Sequence, residues 1–598
     1  MKASFSFTKR FQSIFTLKAT DFDDESNLLK HSKLSSEKQE LILTILNSTA
    51  TKREARSYLS KYRLLEENDI YKNKDKIMDD DSDTSIIDKS VENSQYSEYI
   101  GKVLDDDIFL NNKDKTVFKS QITPHVIHQK KLNEVSNEIK LTQTIRCCIL
   151  RIRKLHKWDA DIIKALGMVL KKAMSLGASP LIIIDGDIIN GYQGEKIEKN
   201  IENYVDMKLD DFMKNLNFSA LSCRVVKGCF DITDDNELRT FIPEMIGVPI
   251  FSGIIPIISP FAVKDGIFQS VRGFPLIKTT ISCLEDLDMK EILSVEKVVF
   301  IGEAGGFPSI ERSEGSHVLI NLLQEYKDIK NELSKELDLN LVEREEHLSN
   351  LEEMKYLLDR SPSITGILTT PEMAAREEEK QVGKETNPII YNILTDRPTI
   401  SSSLPVSLRR TPQVNTTIVK NGISISVFQS KIPEDGLDLI ELNRNGSIDL
   451  TKLKDLIDSS FGRDLNMDHY LNRINKKVAG LIIAGDYEGG AIITWEDIGN
   501  RSVAYLDKFA VIKKLQGIPG IADVVFKAML KSFEDELLWR SRKNNPVNKW
   551  YFERSKANYS IDGTQWKLFY TGSKELTIEN LKGYIKVCGS IEPSFDIK

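Results

Sequence analysis

The chain has 598 residues, of which 40% are hydrophobic and 29% are charged, and its formal net charge is −7. This composition suits a globular protein of about two to four domains. The acidic balance argues against nucleic acid or an anionic membrane as the main partner, and no apolar run approaches the roughly 18 residues that a membrane-spanning helix needs.

The sequence gives little support for metal or disulfide chemistry. The six cysteines form no CxxC pair and several lie in apolar runs, which indicates reduced thiols in a core. None of the seven histidines lies beyond His469, so a histidine triad or a histidine–zinc site is excluded from the last fifth of the chain. We therefore expect no metal.

The amino terminus departs from the average composition. Residues 1–20, MKASFSFTKRFQSIFTLKAT, carry four basic residues, no acidic residue, and phenylalanines interleaved with serines and bases. This pattern predicts a transit peptide and a location in the mitochondrial matrix, with a frayed basic tail as the alternative. Residues 36–66 have apolar residues at helical spacing, and residues 73–117 are polar and acidic, which predicts a disordered insertion.

Residues 120–400 predict an α/β domain with a largely parallel sheet, because strand-like and helix-like segments alternate. The predicted strands are TIRCCILRIR, PLIIIDGD, RVVKGCF, VPIFSGIIPIIS, KVVFIGEAGGFP and ITGILTT, and the predicted helices span Asp159 to Leu176 and Val318 to Lys330. The proline-flanked serine run in NILTDRPTISSSLP predicts a linker where this domain ends.

Residues 412–590 predict a second domain with mostly antiparallel strands. TTIVKNGISISVFQS is strand-like, a helix follows over Leu450 to Phe461, and AGLIIAGDYEGGAIITWED predicts a hairpin. SVAYLDKFAV predicts a third strand, which leads into a glycine-containing loop and a helix. ELLWRSR and QWKLFYTG predict two further strands.

The loop LQGIPGIAD, from Leu515 to Asp523, connects a predicted strand to a predicted helix. A glycine-containing turn at this position points backbone N–H groups at the start of a helix, where an anion such as a diphosphate can bind. Glycine and proline also simply mark turns, and that alternative stays open.

The stretch LLWRSRKNNPVNKWYFERS places Arg540 and Arg542 on one side of a strand, because strand side chains alternate. Two adjacent guanidinium groups need anions, and planar carboxylates suit them, although a structural pair of salt bridges is the alternative. Asn545, Asn548 and Tyr551 follow. Since this stretch contains no cysteine or histidine, its residues permit direct attack on a substrate, with a tyrosine protonating the leaving group.

The stretches SSFGRDL, YLDKFAV, LQGIPG, LWRSRKNNPVNKWYF and QWKLFYTG resemble the GNAT acyltransferase domain of N-acetylglutamate synthases, the amino-acid acetyltransferases that open arginine biosynthesis. The upstream part, from NSTATKREARSYL to NILTDRPTISSSLP, is similar to the fungal mitochondrial members of that family. The resemblance implies an α/β fold class: an amino-acid-kinase-like α/β/α domain, followed by a GNAT domain with a mixed sheet.

The resemblance implies transfer of the acetyl group of acetyl-CoA to L-glutamate, giving N-acetyl-L-glutamate and CoA. It implies that Arg540, Arg542 and Arg463 hold the glutamate carboxylates. It further implies that Asn545 positions the amine and that Tyr551 protonates the departing thiolate. The implied acetyl-CoA site consists of Lys508, Phe509, Ala510 and Val511 for the pantetheine arm, and of Gln516, Gly517, Ile518, Gly520 and Ile521 for the diphosphate.

The sequence departs from the family pattern at two places. In the loop pattern Gln/Arg-x-x-Gly-x-Gly/Ala, Pro519 replaces a glycine and has no N–H to offer a phosphate, and Ile521 replaces a small residue. The first strand of the upstream domain, CCILRIRKLHKWD, lacks the glycine pair of an active kinase. We therefore expect phosphoryl transfer to be lost.

The resemblance then implies a regulatory upstream domain, with L-arginine as a feedback effector and acetylglutamate kinase as a partner. A homo-oligomer is left open. The rival hypotheses are a working amino-acid kinase and a regulatory subunit that binds acetylglutamate kinase without activity of its own.

Overall fold

The structure is a computed structural model that describes residues 145–194, 198–285, 293–376, 387–404, 414–516 and 520–595. The predicted transit peptide 1–20, helical segment 36–66 and acidic insertion 73–117 lie outside these residues. Gly517 and Ile518 of the predicted diphosphate loop also lie outside them.

The first part of the described chain alternates strands and helices. Its strands are β1 Ile145–Ile152, β2 Ala178–Ile184, β3 Cys223–Val226, β4 Phe230–Ile232, β5 Leu238–Thr240, β6 Ile255–Ile258, β7 Phe261–Lys264, β8 Ile267–Ser270, β9 Leu293–Ile301, β10 Pro308–Ser309, β11 Arg312–Ser316, β12 Leu319–Asn321, β13 Thr365–Thr369 and β14 Thr417–Lys420. Its helices are α1 Ala160–Ser175, α2 Glu198–Leu216, α3 Glu244–Phe251, α4 Gly273–Leu284, α5 Leu322–Asn331, α6 Leu341–Arg360, α7 Pro371–Ala374 and α8 Pro388–Thr395.

Eight of these strands form one sheet in the order β12-β14-β13-β9-β1-β2-β6-β3. The strands from β13 to β3 run parallel, whereas β12 and β14 run together in the opposite direction. Helices α3 to α6 pack on the face that includes Ile149, Leu181 and Val298, and α1 packs with α8 on the other side. Parallel strands covered on both faces are apolar throughout, which explains the unbroken hydrophobic runs of β1 and β2.

The second part forms a seven-stranded sheet that carries the candidate site. Its strands are β15 Ile425–Gln429, β16 Val478–Ala484, β17 Gly489–Ile498, β18 Arg501–Val511, β19 Leu537–Arg542, β20 Ala557–Ser560 and β21 Trp566–Thr571. Its helices are α9 Leu439–Arg444, α10 Leu450–Phe461, α11 Met467–Ile474, α12 Ile521–Ser532, α13 Asn548–Arg554 and α14 Ile578–Ser590.

This sheet has the order β15-β16-β17-β18-β19-β21-β20 and is antiparallel except for the parallel pair β18 and β19. Helices α12 and α13 pack on one face, and helices α9, α10, α11 and α14 pack on the other. The predicted α/β class, with a largely parallel sheet followed by a mixed sheet, is confirmed.

Three predicted segments differ from the structure. TTIVKNGISISVFQS is two strands, because Gly422 turns the chain with a φ of 82° that favours glycine. Consequently β14 belongs to the first sheet, and the second sheet begins at Ile425 rather than at residue 412. VPIFSGIIPIIS begins as the end of α3, and the helix predicted from Val318 begins with β12. Short apolar runs do not distinguish a buried helix from a buried strand.

Candidate active site

A split between two neighbouring strands opens the second sheet. β18 and β19 pair only where Ala504–Leu506 lies beside Leu537–Trp539, although β18 continues to Val511. The backbone N–H of Val511 donates to the Ser460 hydroxyl at 3.2 Å. Because backbone groups alternate along a strand, those of Phe509 point the same way, toward the split. An extended ligand with amide groups can pair with such an edge.

A β-bulge lies where the split begins. The register shifts between Ile492 and Ile493 of β17, which leaves Asp507 without a partner in the ladder. The Tyr470 hydroxyl in α11 donates to Asp507 at 2.7 Å, and the Lys508 ammonium lies 4.8 Å from the centroid of the Tyr470 ring. The bulge therefore turns two consecutive charged side chains onto one face of the sheet.

Arg540 and Arg542 lie on the same face of β19, as the alternation predicts. Their guanidinium carbons lie 4.1 Å and 6.0 Å from the centroid of the Trp566 ring. Arg540 also donates to the backbone carbonyl of Cys588 in α14 at 2.6 Å. Neither arginine pairs with a carboxylate of a described residue, so within that part of the chain the structural salt-bridge alternative has no partner.

Three more charged side chains share this face: Lys508, Asp507 and Glu496. We call them, with the two arginines, the charged face. Burial alone would raise the pKa of Asp507, but Lys508 at 2.6 Å and the adjacent Arg473 hold that pKa well below its ordinary value. Burial lowers the pKa of Lys508 despite the carboxylate beside it. Burial also raises the pKa of Glu496, 3.7 Å from Arg473, which makes this carboxylate a better proton acceptor.

Tyr551 in α13 lies on the opposite face of the sheet. Its ring centroid is 5.6 Å from that of Trp539 and 5.4 Å from that of Phe569. Trp539 alternates with Arg540, so the tyrosine and the arginines are separated by the sheet. Trp539 is also the last residue of β19 that pairs with β18, which places Tyr551 at the closed end of the split. Burial raises the pKa of Tyr551, so its hydroxyl keeps its proton at neutral pH.

Asn545 and Asn548 stabilise the turn between β19 and α13. The Asn545 side-chain amide donates to the Ser541 hydroxyl at 2.8 Å, and the Asn548 amide donates to the Arg542 carbonyl at 2.7 Å. Because this turn leads directly into α13, both asparagines fix the position of Tyr551.

Of the strand residues implied for the pantetheine arm, only some border the split. The Phe509 ring packs against Trp550 at 5.8 Å between centroids, on the side of α12 and α13. Ala510 is buried in the sheet opposite Gly490. The side chain of Lys508 instead points to the charged face.

The described residues on the two sides of the diphosphate loop, Gln516 and Gly520, have positions set by the protein itself. The Gln516 side chain donates to the carbonyls of Val511 at 2.9 Å and Ser460 at 3.1 Å, so Gln516 itself is held against β18 and α10. Gly520 caps the N-terminus of α12 with a φ of 110°, a backbone conformation that residues other than glycine rarely adopt.

Ile521, which departs from the family pattern, fits because a glycine faces it. A Cβ built on Gly489 would lie 2.6 Å from the Cγ2 atom of Ile521. The absent side chain at position 489 therefore makes room for a bulky residue at the start of α12.

Arg463, the third arginine implied for the carboxylates, lies at the surface just after α10. It is exposed after Gly462, which ends α10 in the left-handed region with a φ of 65°. Arg463 forms no hydrogen bond or ion pair with any residue that the structure describes. The structure thus brings Arg540, Arg542 and Lys508 together on the charged face, whereas Arg463 has no bonded partner among the described residues.

Sequence reasoning missed the carboxylates of the charged face and the chain end that covers Lys508. The Lys508 ammonium donates to the Ser594 hydroxyl at 3.0 Å, and the Phe595 ring lies 5.1 Å from Phe461 between centroids. The adjacent charges in YLDKFAV, within an otherwise apolar strand, were a signal for a buried ion pair at Asp507.

Replacing Asp507 by asparagine should lower the free energy of unfolding by about 3 kcal/mol, because it leaves the buried Lys508 without its carboxylate. Since the folded pKa of Asp507 is lowered, its contribution is fully present above the unfolded value of about 3.9 and is lost in strong acid. Urea unfolding at pH 7 measures the difference. Asp497→Asn, an exposed carboxylate bonded to Ser502, is the matched control, and equal loss in both variants would contradict the expectation.

Comparisons with known proteins agree with this geometry. Residues 439–591 match the family described as NAT, the N-acetyltransferase of N-acetylglutamate synthase. The mitochondrial amino-acid acetyltransferase of Yarrowia lipolytica is 36% identical over an alignment of 615 positions, gaps included, which covers 94% of each chain. That of Candida albicans is 37% identical over 603 residues, covering 95% of this chain and 98% of the relative.

This chain belongs to the amino-acid acetyltransferase family. The predicted enzyme class, an amino-acid N-acetyltransferase, is thereby confirmed, and so is the mitochondrial location that these relatives share. A solved N-acetylglutamate synthase from Neisseria gonorrhoeae, complexed with coenzyme A and N-acetyl-glutamate, is 12% identical with a TM-score of 0.39. That comparison covers 71% of this chain and 95% of the solved one.

Two negative findings concern this family member. Among the described residues, no cluster of three or more histidine, cysteine or acidic side chains could hold a metal ion. Within the same ranges, no helix has both the length and the apolar character needed to cross a bilayer.

Proposed function

We propose that the protein transfers the acetyl group of acetyl-CoA to the α-amino group of L-glutamate in the mitochondrial matrix, giving N-acetyl-L-glutamate and CoA. The observation that carries this proposal is the arginine pair of β19. Arg540 and Arg542 share one face beside the split and have no carboxylate partner among the described residues. Glutamate brings two carboxylates, as aspartate also does, and two guanidinium groups suit such an acceptor.

The proton acceptor and the proton donor of the reaction lie on opposite faces of the sheet. A neutral amine attacks the thioester carbonyl, the carbon–sulfur bond breaks, and the thiolate takes a proton. Glu496, whose pKa is raised, lies on the charged face and accepts the proton of the amine. Tyr551 lies at the closed end of the split and donates its proton to the sulfur. The split joins the faces and admits the pantetheine arm along Phe509.

The ion pairs of the first domain favour a regulatory role for this domain over phosphoryl transfer. The carboxyl ends of its parallel strands hold ion pairs: Arg151–Asp185 at 2.6 Å, Arg153–Glu346 at 2.8 Å and Lys154–Glu303 at 2.8 Å. Each of these cations is already matched by a carboxylate and is not offered to a phosphate group. We propose that this kinase-inactive domain responds to L-arginine and contacts acetylglutamate kinase, as the family resemblance implies.

One assay tests the proposed activity. The purified full chain is given acetyl-CoA with each of the twenty amino acids, and thiol release is followed. We expect turnover with L-glutamate far above that with the other acceptors, including aspartate. With ATP and N-acetyl-L-glutamate, the same preparation should form no acyl phosphate. If none of the twenty amino acids causes thiol release, the result would favour the regulatory-subunit hypothesis instead.

A further inference from the structure

Arg554, the last residue of α13, is a buried cation whose guanidinium bonds several separate parts of the chain. Its exposed fraction is 1%. It donates to the hydroxyls of Ser403 and Ser401, each at 2.6 Å, and to the carbonyl of Trp550 at 3.0 Å. It also pairs with Asp523 at 3.1 Å. A buried charge is costly unless its hydrogen bonds are satisfied, so this geometry is strongly specified.

Asp523 completes the arrangement from another helix. It lies in the first turn of α12 and accepts hydrogen bonds from Ser401 at 2.8 Å and from Ser403 at 2.5 Å. We call Ser401, Ser403, Asp523 and Arg554 the serine clamp. The clamp joins the segment after α8 to both helices on the Tyr551 face.

A short segment tethers the two serines to the first domain. Asp396 ends α8 in the left-handed region with a φ of 56°, and Ser401 follows five positions later. The Asp396 carboxylate pairs with Lys420 of β14 at 2.5 Å and with Lys297 of β9, and it accepts from the Thr365 hydroxyl at 2.9 Å. The serines therefore follow, within a few residues, an anchor in the first sheet, whereas Asp523 and Arg554 belong to the second domain.

The clamp also reaches the split without entering it. The guanidinium carbon of Arg554 lies 3.9 Å from the centroid of the Trp550 ring. The same ring lies 5.8 Å from Phe509, which borders the split, and 5.6 Å from Tyr551. Trp550 thus joins the clamp to one wall of the split and to the predicted proton donor.

We propose that Arg554 is a positioning residue: held by Ser401 and Ser403 of the segment that follows the first domain, it orients Trp550 and Tyr551 so that the acetyl-CoA crevice forms only when the two domains are docked. This inference rests on the proposed function. It assigns the first domain a part in catalysis through contact with α12 and α13, whether or not an effector is bound.

The test removes the serine hydroxyls and keeps both charges of the clamp. In the full chain, Ser401→Ala combined with Ser403→Ala should lower kcat/KM for acetyl-CoA about tenfold, because two hydrogen bonds to a charged group are lost. The glutamate KM should stay within about twofold of wild type, since the charged face lies across the sheet. Ser401 is the less buried of the two serines, so it is also replaced alone. Ser401→Ala should lower kcat/KM for acetyl-CoA, whereas Ser401→Thr keeps the hydroxyl and should keep the wild-type kcat/KM.

The matched control is Lys531→Gln. Lys531 pairs with Asp328 of the first domain at 2.9 Å, but both side chains are exposed and the pair does not contact α13. We expect this variant to keep wild-type kinetics, because exposed ion pairs contribute little.

Three results would overturn the proposal. The first is wild-type acetyl-CoA kinetics in the double serine variant, and the second is an equal loss in Lys531→Gln. The third is a rise in glutamate KM that matches the acetyl-CoA effect together with a lower unfolding midpoint, which would make the clamp merely structural.

Failure of the proposed function would be recognised separately. If the wild-type chain releases no thiol with glutamate, the proposed function is wrong. CoA binding by calorimetry needs no acceptor, so it still tests the clamp: the double serine variant should bind CoA more weakly than wild type, and equal affinity would overturn the inference.

Discussion

Replacing Tyr551 by phenylalanine should lower kcat about 10²-fold, because the ring remains but the proton donor for the thiolate is lost. Burial raises the pKa of Tyr551, so the wild-type hydroxyl is protonated throughout the working pH range. The ring contacts with Trp539 and Phe569 do not involve the hydroxyl. We therefore expect the unfolding midpoint and the KM for both substrates to change little. Steady-state kinetics with glutamate and acetyl-CoA measure the effect.

The matched control is Tyr559→Phe. Tyr559 lies on β20 with 38% of its surface exposed and takes no part in the split, so its hydroxyl should be dispensable. The rate of the wild-type enzyme should rise toward alkaline pH, because the attacking amine must be neutral. Full activity in Tyr551→Phe would assign the acid role to water or to another group.

Replacing Arg542 or Arg540 by glutamine should lower kcat/KM for glutamate at least about tenfold, since a lost charge-assisted pair costs roughly 1.5–3 kcal/mol. The two variants should differ in stability. Arg540 stacks on Trp566 and donates to the Cys588 carbonyl, so its loss should also lower the unfolding midpoint. Arg542 is exposed, so its variant should keep the wild-type midpoint.

Acetyl-CoA affinity should stay nearly constant in both arginine variants, because the pantetheine edge of β18 is not altered. Arg444→Gln serves as the control for charge alone, since Arg444 is an exposed residue of α9 whose partner is Glu441. Wild-type glutamate kinetics in both Arg540→Gln and Arg542→Gln would show that the pair has no part in substrate binding.

The sequence predicted the central strands of the second sheet well, for a local reason, although it missed the edge strand β20 and joined β15 to β14. The hairpin of β16 and β17 and the long strand β18 have strong apolar patterns, and α10 was predicted at Leu450 to Phe461, as the structure has it. The same-side arrangement of Arg540 and Arg542 followed from strand alternation alone. These features depend on neighbours in sequence, which a single chain reveals.

The parts that were missed depend on contacts between distant residues. Helix α11 was not predicted, although its Tyr470 donates a hydrogen bond to the buried Asp507 carboxylate and its Arg473 forms an ion pair with it. The bulge that turns Lys508 away from the split follows from pairing with β17, which no local pattern encodes. That Tyr551 and Arg540 lie on opposite faces depends on how the turn after β19 folds back across the sheet.

The close approach of Gly489 and Ile521 constrains the order in which the two positions can change. A side chain added first at 489 would meet the Cγ2 atom of Ile521 at 2.6 Å, in a strand whose backbone is fixed by β16 and β18. A smaller residue gained first at 521 would remove that obstacle and leave position 489 free to vary. A small residue can therefore replace Ile521 first, and position 489 can change afterwards. A side chain at position 489 while Ile521 is still present would clash with it.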